Sequence, residues 1–151
     1  MSLYRKLLQL QESATPIRVG MVGAGKFGSM FLAQTRKIPG IQIVGIADLS
    51  IARARSNLEF IGWPADALTA RSAEDAAKTG SIFLTEDATS LTTSPFIDVM
   101  IESTGDPVAA VNHIVSSFDH GKDVVNVTVE ADSYCGAGLA KRARDAGVLY
   151  S

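Results

Sequence analysis

Cysteine is almost missing from this sequence. Cys135 is the only one in 151 residues, so an internal disulfide is excluded. A chain without staples is expected in the reducing cytosol. Charge of one sign is not in surplus either. Fourteen Lys and Arg against sixteen Asp and Glu leave a net charge of −2. With no basic cluster, nothing favours a nucleic-acid partner. No apolar run approaches the roughly 20 residues of a membrane span. Gln9, Gln11 and Glu12 interrupt the opening segment, which does not read as a signal peptide. His, Cys and Asp show no metal-ligand spacing. What remains, 46% apolar and 20% charged, has the composition of one globular domain with its own core.

The N-terminal segment, residues 1–15, contains a predicted amphipathic helix over 3–12, with Leu3, Leu7 and Leu10 on one face. From residue 16 to 151 the pattern alternates. Apolar, β-branched runs at Ile17–Val22, Ile41–Ala47, Ser81–Leu84, Phe96–Ile101 and Asp123–Val129 read as strands. Helical spacing covers Lys26–Lys37, Ser50–Phe60, Val108–His120 and Ser133–Ala146, with shorter pieces at Ala73–Lys78 and Ala88–Thr93. Val148–Tyr150 begins a predicted sixth strand. Strands alternating with helices predict an α/β fold, a doubly wound parallel sheet of order 3-2-1-4-5-6.

Between the first strand and the first helix of that alternation stands Gly23-Ala24-Gly25-Lys26-Phe27-Gly28, a G-x-G-x-x-G. Glycine is common, so the string alone says little. Its setting says more: a buried strand before, a helix after, and Asp48 closing the second strand 20 positions beyond Gly28. Gly23 permits a tight turn, Gly25 lets a diphosphate approach the backbone, and Gly28 lets the helix pack on the strand. The helix start offers free N–H groups and partial positive charge to the anion. Lys26 can reach a phosphate or simply face solvent. Asp48 is positioned to accept ribose hydroxyls, which favours NAD. Ser50, Arg53 and Arg55 follow closely and suit a 2′-phosphate, so NADP stays open. Leu49 lies between the two groups.

Ligands of such sheets bind beyond the carboxyl ends of the strands. Ser103, Thr104 and Gly105 follow the fourth strand and are expected near the nicotinamide ribose. Glu102 reads as the first residue to leave the sheet core. Asp106 before Pro107 reads as a helix N-cap. Thr128 and Glu130 fall at the end of the fifth strand. Glu130 either contacts nicotinamide or substrate, or complements the next helix dipole. His113 and His120 read as helix residues without chemistry, and Trp63 as a packing anchor.

The segments GAGKFG at 23–28, GIADLS at 45–50, IESTGDP at 101–107 and HGKDVVNVTVEAD at 120–132 resemble the NAD(P)-binding domain of homoserine dehydrogenase-like oxidoreductases. The nearest resemblance is to the branch with a C-terminal SAF-type domain, which includes deoxyxylulose-phosphate reductoisomerase-like enzymes. GVLYS at 147–151 resembles the strand that leads into the catalytic region. The resemblance implies NAD or NADP as cofactor and hydride transfer to or from a small polar carbonyl or alcohol. It also implies a catalytic domain beyond Ser151, with the catalytic residues there. One departure is informative. Homoserine dehydrogenases place a Thr-Ala-Asn-Lys type segment after the fifth strand, whereas here Thr128-Val129-Glu130-Ala131 has no lysine. That speaks against homoserine itself as substrate.

Two other readings fit a Rossmann-type domain: a stand-alone dinucleotide-sensing module, and a methyltransferase binding S-adenosylmethionine. The long 61–80 connection and the VNVTVEAD edge fit the sensor poorly, and the spacing of GAGKFG suits a diphosphate better than S-adenosylmethionine. A homo-oligomer is compatible with an uncovered last strand.

Overall fold

Five parallel strands form one sheet in the order β3-β2-β1-β4-β5, with helices on both faces. The computed structural model describes residues 2–151, so Met1 of the predicted N-terminal segment lies outside the described residues. The strands are β1 Ile17–Val22, β2 Ile41–Ala47, β3 Phe83–Thr85, β4 Val99–Glu102 and β5 Asp123–Asn126. The helices are α1 Leu3–Glu12, α2 Lys26–Thr35, α3 Ile51–Phe60, α4 Ala73–Thr79, α5 Thr89–Thr92, α6 Pro107–Asp119 and α7 Val129–Ala146. A 3₁₀ turn at Ala65–Ala67 bridges α3 and α4.

Because side chains of a strand alternate between faces, a sheet covered on both sides carries two cores. Val19, Met21, Ile43, Ile46 and Ile101 pack under Leu32 of α2 and Ala54 and Leu58 of α3. Val44, Met100 and Val124 point the other way, against Ala110, Ile114 and Phe118 of α6 and Leu139 and Ala143 of α7. Neighbouring residues Met100 and Ile101 thus serve opposite cores.

Helix boundaries follow local chemistry. The Ser50 hydroxyl accepts the Arg53 amide and caps α3. The Asp106 carboxylate accepts the Val108 and Ala109 amides and caps α6, with Pro107 at its first position. Gly147, in the left-handed region at φ 72°, ends α7.

The register aligns the carboxyl ends of the strands. Val22 pairs with Ala47 on one side and Glu102 on the other, Ala47 pairs with Thr85, and Glu102 pairs with Asn126. The chain winds from β1 out to β3 and then returns to β4, so the sheet's switch point lies between β1 and β4.

Four expectations need correction. The first helix has its predicted span, but Leu3 is exposed and Leu7 is the buried member of its face. The fifth strand ends at Asn126 rather than Val129, because the Asn126 side chain accepts the Thr128 amide and turns the chain into α7 early. The sixth strand is reduced to a parallel bridge between Tyr150 and Val124. It lies where the sixth position of the predicted order falls, yet it is too short to count as a strand. Glu102 does not leave the sheet: it is the last residue of β4, paired on both sides and 2% exposed.

Candidate functional site

At the switch point the chain leaves β1 through Gly23, whose φ of 95° is open to glycine and few other residues. A Cβ there would lie 2.7 Å from the Ser103 carbonyl oxygen, so Gly23 also permits close approach of the loop after β4. The Ser103 hydroxyl closes that contact by donating to the Gly23 carbonyl at 2.9 Å. Gly28 faces inward: a Cβ would stand 2.5 Å from the Gly23 oxygen and 2.9 Å from Met21 Cε. Gly25 differs from both. It caps α2 with no side-chain hydrogen bond, and a Cβ on it would meet nothing within 4 Å. The first amides of α2 therefore lie beneath open space, the arrangement that holds phosphate groups at a helix start.

Asp48, just past the end of β2, reaches across to this turn. Its Oδ2 accepts the Ala24 amide at 2.9 Å, and its Oδ1 accepts the Ser50 amide at 3.0 Å and Arg53 Nη2 at 2.6 Å. Burial alone would raise this carboxyl. The two amides and the guanidinium outweigh it and hold Asp48 below the ordinary carboxylate range. Three hydrogen bonds leave about one of its four acceptor positions free. Asn57 of α3 secures the same turn by donating to the Ala24 carbonyl at 3.0 Å.

A cavity of about 380 Å³ opens between these elements. It is lined by Gly23, Asp48 and Arg53 on one side and by Thr104, Asp106 and His113 on the other. Glu86, Ala88 and Thr89, which follow β3, form its third wall. A second, more open hollow of about 780 Å³ runs from Gly25 and Lys26 between α2 and α3 to Asn57 and Phe60. Arg53 and Thr104 border both hollows.

The predicted residues sort themselves by place. Gly23, Asp48, Leu49, Arg53 and Thr104 line the first cavity, and Gly25 and Lys26 line the second. Ala24 is buried in the turn and Gly28 in the packing beneath it. Ser103 ties the β4 loop to Gly23. Phe27 is exposed but borders neither hollow. Gly105 donates its amide to the Thr128 hydroxyl at 3.0 Å, and Thr128 is buried rather than presented to a cavity. Glu130 is exposed in the first turn of α7 beside Asp132, where its charge complements the helix dipole. Arg55 is committed elsewhere, to the Leu68 carbonyl. Trp63 is a packing anchor: its indole N–H donates to the Leu32 carbonyl and Arg36 stacks on its ring.

Sequence reasoning missed the pairing of buried Glu102 with His113, 3.3 Å apart, of which His113 lines the cavity. The available signal was a charged residue ending an otherwise apolar strand. Among the described residues no group of His, Cys, Asp or Glu is placed to hold a metal ion, and no helix is long and apolar enough to cross a membrane.

No family model matches the chain, and no curated protein does. Solved structures match well. A homoserine dehydrogenase from Thiobacillus denitrificans is similar over 90% of the chain with a TM-score of 0.66 and 21% identity, and 29% of that structure is covered. Biliverdin reductase from Synechocystis sp. PCC 6803, solved with biliverdin and NADP+, is similar over 90% of the chain at a TM-score of 0.61 and 22% identity, with 37% of it covered. A homoserine dehydrogenase from S. aureus gives 90%, 0.61 and 14%, with 32% covered. The chain thus has the doubly wound, Rossmann-like fold found in oxidoreductases. It shares that fold with homoserine dehydrogenases, and it spans about a third of the length of the structures it matches.

Proposed function

We propose that this chain is the dinucleotide-binding part of an NAD(P)-dependent oxidoreductase of the homoserine dehydrogenase-like kind. The observation that carries the reading is the uncapped start of α2 beneath open space at Gly25, with the ionised Asp48 beside it across the cavity. A diphosphate needs the first feature and a ribose needs the second. The glycine turn and Lys26 hold the diphosphate side. Asp48, flanked by Leu49 and Arg53, takes the adenosine ribose. Ser103, Thr104 and Gly105 face the nicotinamide side, with Thr128 supporting them from the turn between β5 and α7 and Glu130 further out.

Bound there, the nicotinamide supplies or receives a hydride. The small polar carbonyl or alcohol that exchanges it is bound by a catalytic domain outside this chain, which also carries the acid and base. The enzyme is cytosolic, and the absence of a lysine from Thr128-Val129-Glu130-Ala131 speaks against homoserine itself as its substrate.

NAD is the favoured cofactor. Asp48 has an acceptor position left for a ribose hydroxyl, while a 2′-phosphate would meet its negative charge. Arg53 is the counterweight: its side chain is 60% exposed and can turn toward a 2′-phosphate, with Ser50 beside it.

Calorimetric titration with NADH and NADPH, on the wild-type chain and on Asp48→Ala, tests the assignment. The expected result is tighter NADH binding that the substitution weakens. NADPH preference that survives the substitution would move recognition to Ser50 and Arg53. A wild-type chain that binds neither would remove the reading.

A further inference from the structure

Glu102 is a buried carboxylate at the switch point, and burying an unpaired charge is costly. Here it is met from four directions. The Thr128 hydroxyl donates to Oε2. The Thr104 hydroxyl and amide donate to Oε1 at 2.7 and 3.4 Å. The fourth group is His113 of α6, with Nδ1 3.3 Å from Oε1. Thr128 Oγ1 accepts the Gly105 amide, so its single hydrogen is directed at Glu102. With hydrogens pointing at both oxygens, the carboxylate acts as acceptor, and Nδ1 of His113 carries the proton between them. That fixes the ring's tautomer and orientation.

Among the described residues, the opposite ring edge has no protein hydrogen bond. The His113 side chain is 23% exposed and lines the 380 Å³ cavity. The same cavity holds Asp48. Small apolar residues, Val22, Ala47, Ala88 and Ala109, make up much of its lining and leave room for a flat ring.

Resting on the dinucleotide reading above, we infer that His113 is a further binding residue, whose Nε2 accepts a hydrogen bond from the adenosine half of the cofactor, and that Glu102 is the positioning residue that aims it. In the neutral ring with Nδ1 protonated, Nε2 is an acceptor. It therefore suits the exocyclic amine of adenine or a ribose hydroxyl, rather than a phosphate. The other charged groups at this cavity are Asp106 at the start of α6, Glu86 after β3, and the Asp48–Arg53 pair.

Two substitutions separate contact from mere support. His113→Gln carries a polar group out to the position of Nε2. His113→Asn carries one only as far as Nδ1, where it can satisfy Glu102 but not reach the cavity. Titrations with NADH and ADP-ribose are expected to show His113→Ala weakened about tenfold, the loss of one good hydrogen bond. His113→Gln should recover most of that loss and His113→Asn little of it. Equal recovery by Asn, or an Ala variant that binds like wild type, would overturn the inference while wild-type binding of NADH leaves the dinucleotide reading standing. Wild-type binding of neither ligand would overturn both. Should the variants fail to fold, imidazole ¹⁵N shifts of the wild-type chain, assigned with His120→Gln, decide the matter. The His113 Nε2 signal should move on adding ADP-ribose and stay fixed on adding nicotinamide mononucleotide. A signal indifferent to ADP-ribose overturns the inference.

Discussion

Arg53 Nη2 donates to Asp48 Oδ1 at 2.6 Å, so the carboxylate proposed to take a ribose is already paired with the cation proposed to turn toward a 2′-phosphate. The two residues are not equal partners. Asp48 is buried and also anchors the Ala24 and Ser50 amides, whereas the Arg53 side chain is 60% exposed. Arg53→Ala should therefore cost under about 1 kcal/mol of stability. Its larger effect should fall on NADPH, whose affinity drops relative to NADH. Paired titrations and chemical denaturation of the one variant check both halves.

Asp48→Ala removes a buried acceptor from two backbone amides. Leaving such groups unpaired costs about 1–3 kcal/mol. Urea unfolding of this variant should show a loss in that range, clearly greater than for Arg53→Ala. A loss no larger than that of Arg53→Ala would mean that solvent reaches those amides.

Acid should weaken the fold through two carboxylates. Asp98 is held low although burial opposes it, because the side chain and amide of Arg18 bind it at the opposite end of the sheet. Asp48 is held low in the same way. A folded-state carboxyl below its unfolded value of about 3.9 gives stability that is present above that pH and lost as pH falls through the folded value. Melting temperature should be flat from neutrality to about pH 5 and fall below about pH 4. Asp98→Asn should melt lower at neutral pH and show a shallower acid fall.

Under the second core, Ile114 is fully buried on the inner face of α6. Truncating it to alanine leaves a cavity between the helix and the sheet, at a cost of about 2–5 kcal/mol. Denaturant unfolding should show that loss with an unchanged slope.

Much of this molecule is legible in its sequence, for reasons that differ by residue. The alternation of β-branched runs with capped helices announced the parallel sheet, because those signals are local. Gly23, Gly25 and Gly28 occupy three different environments, and their spacing reflects all three. Ends of elements were harder. Val127 to Val129 look like strand, yet the Asn126 side chain captures the Thr128 amide and breaks it. Buried charge was harder still. Lys122 is 2% exposed, with its ammonium on the Ser94 and Ile97 carbonyls, and Glu102 is equally hidden. Their partners come from loops and helices distant in sequence, and hydrophobic periodicity carries no information about such pairings. For the same reason nothing in the helical pattern of α6 marks His113, whose partner Glu102 lies on β4.

The central claim is that the start of α2 is a phosphate site. It is tested most directly by titrating NADH into the wild-type chain, Gly25→Ala and Gly28→Ala, with unfolding curves for all three. A Cβ at Gly25 enters open space, so that variant should keep wild-type stability and lose NADH affinity, since the methyl group occupies the diphosphate's place. A Cβ at Gly28 meets the Gly23 backbone, so that variant should lose about 1–3 kcal/mol of stability as well. If Gly25→Ala binds NADH as tightly as the wild type, the diphosphate does not lie on this turn and the account is wrong.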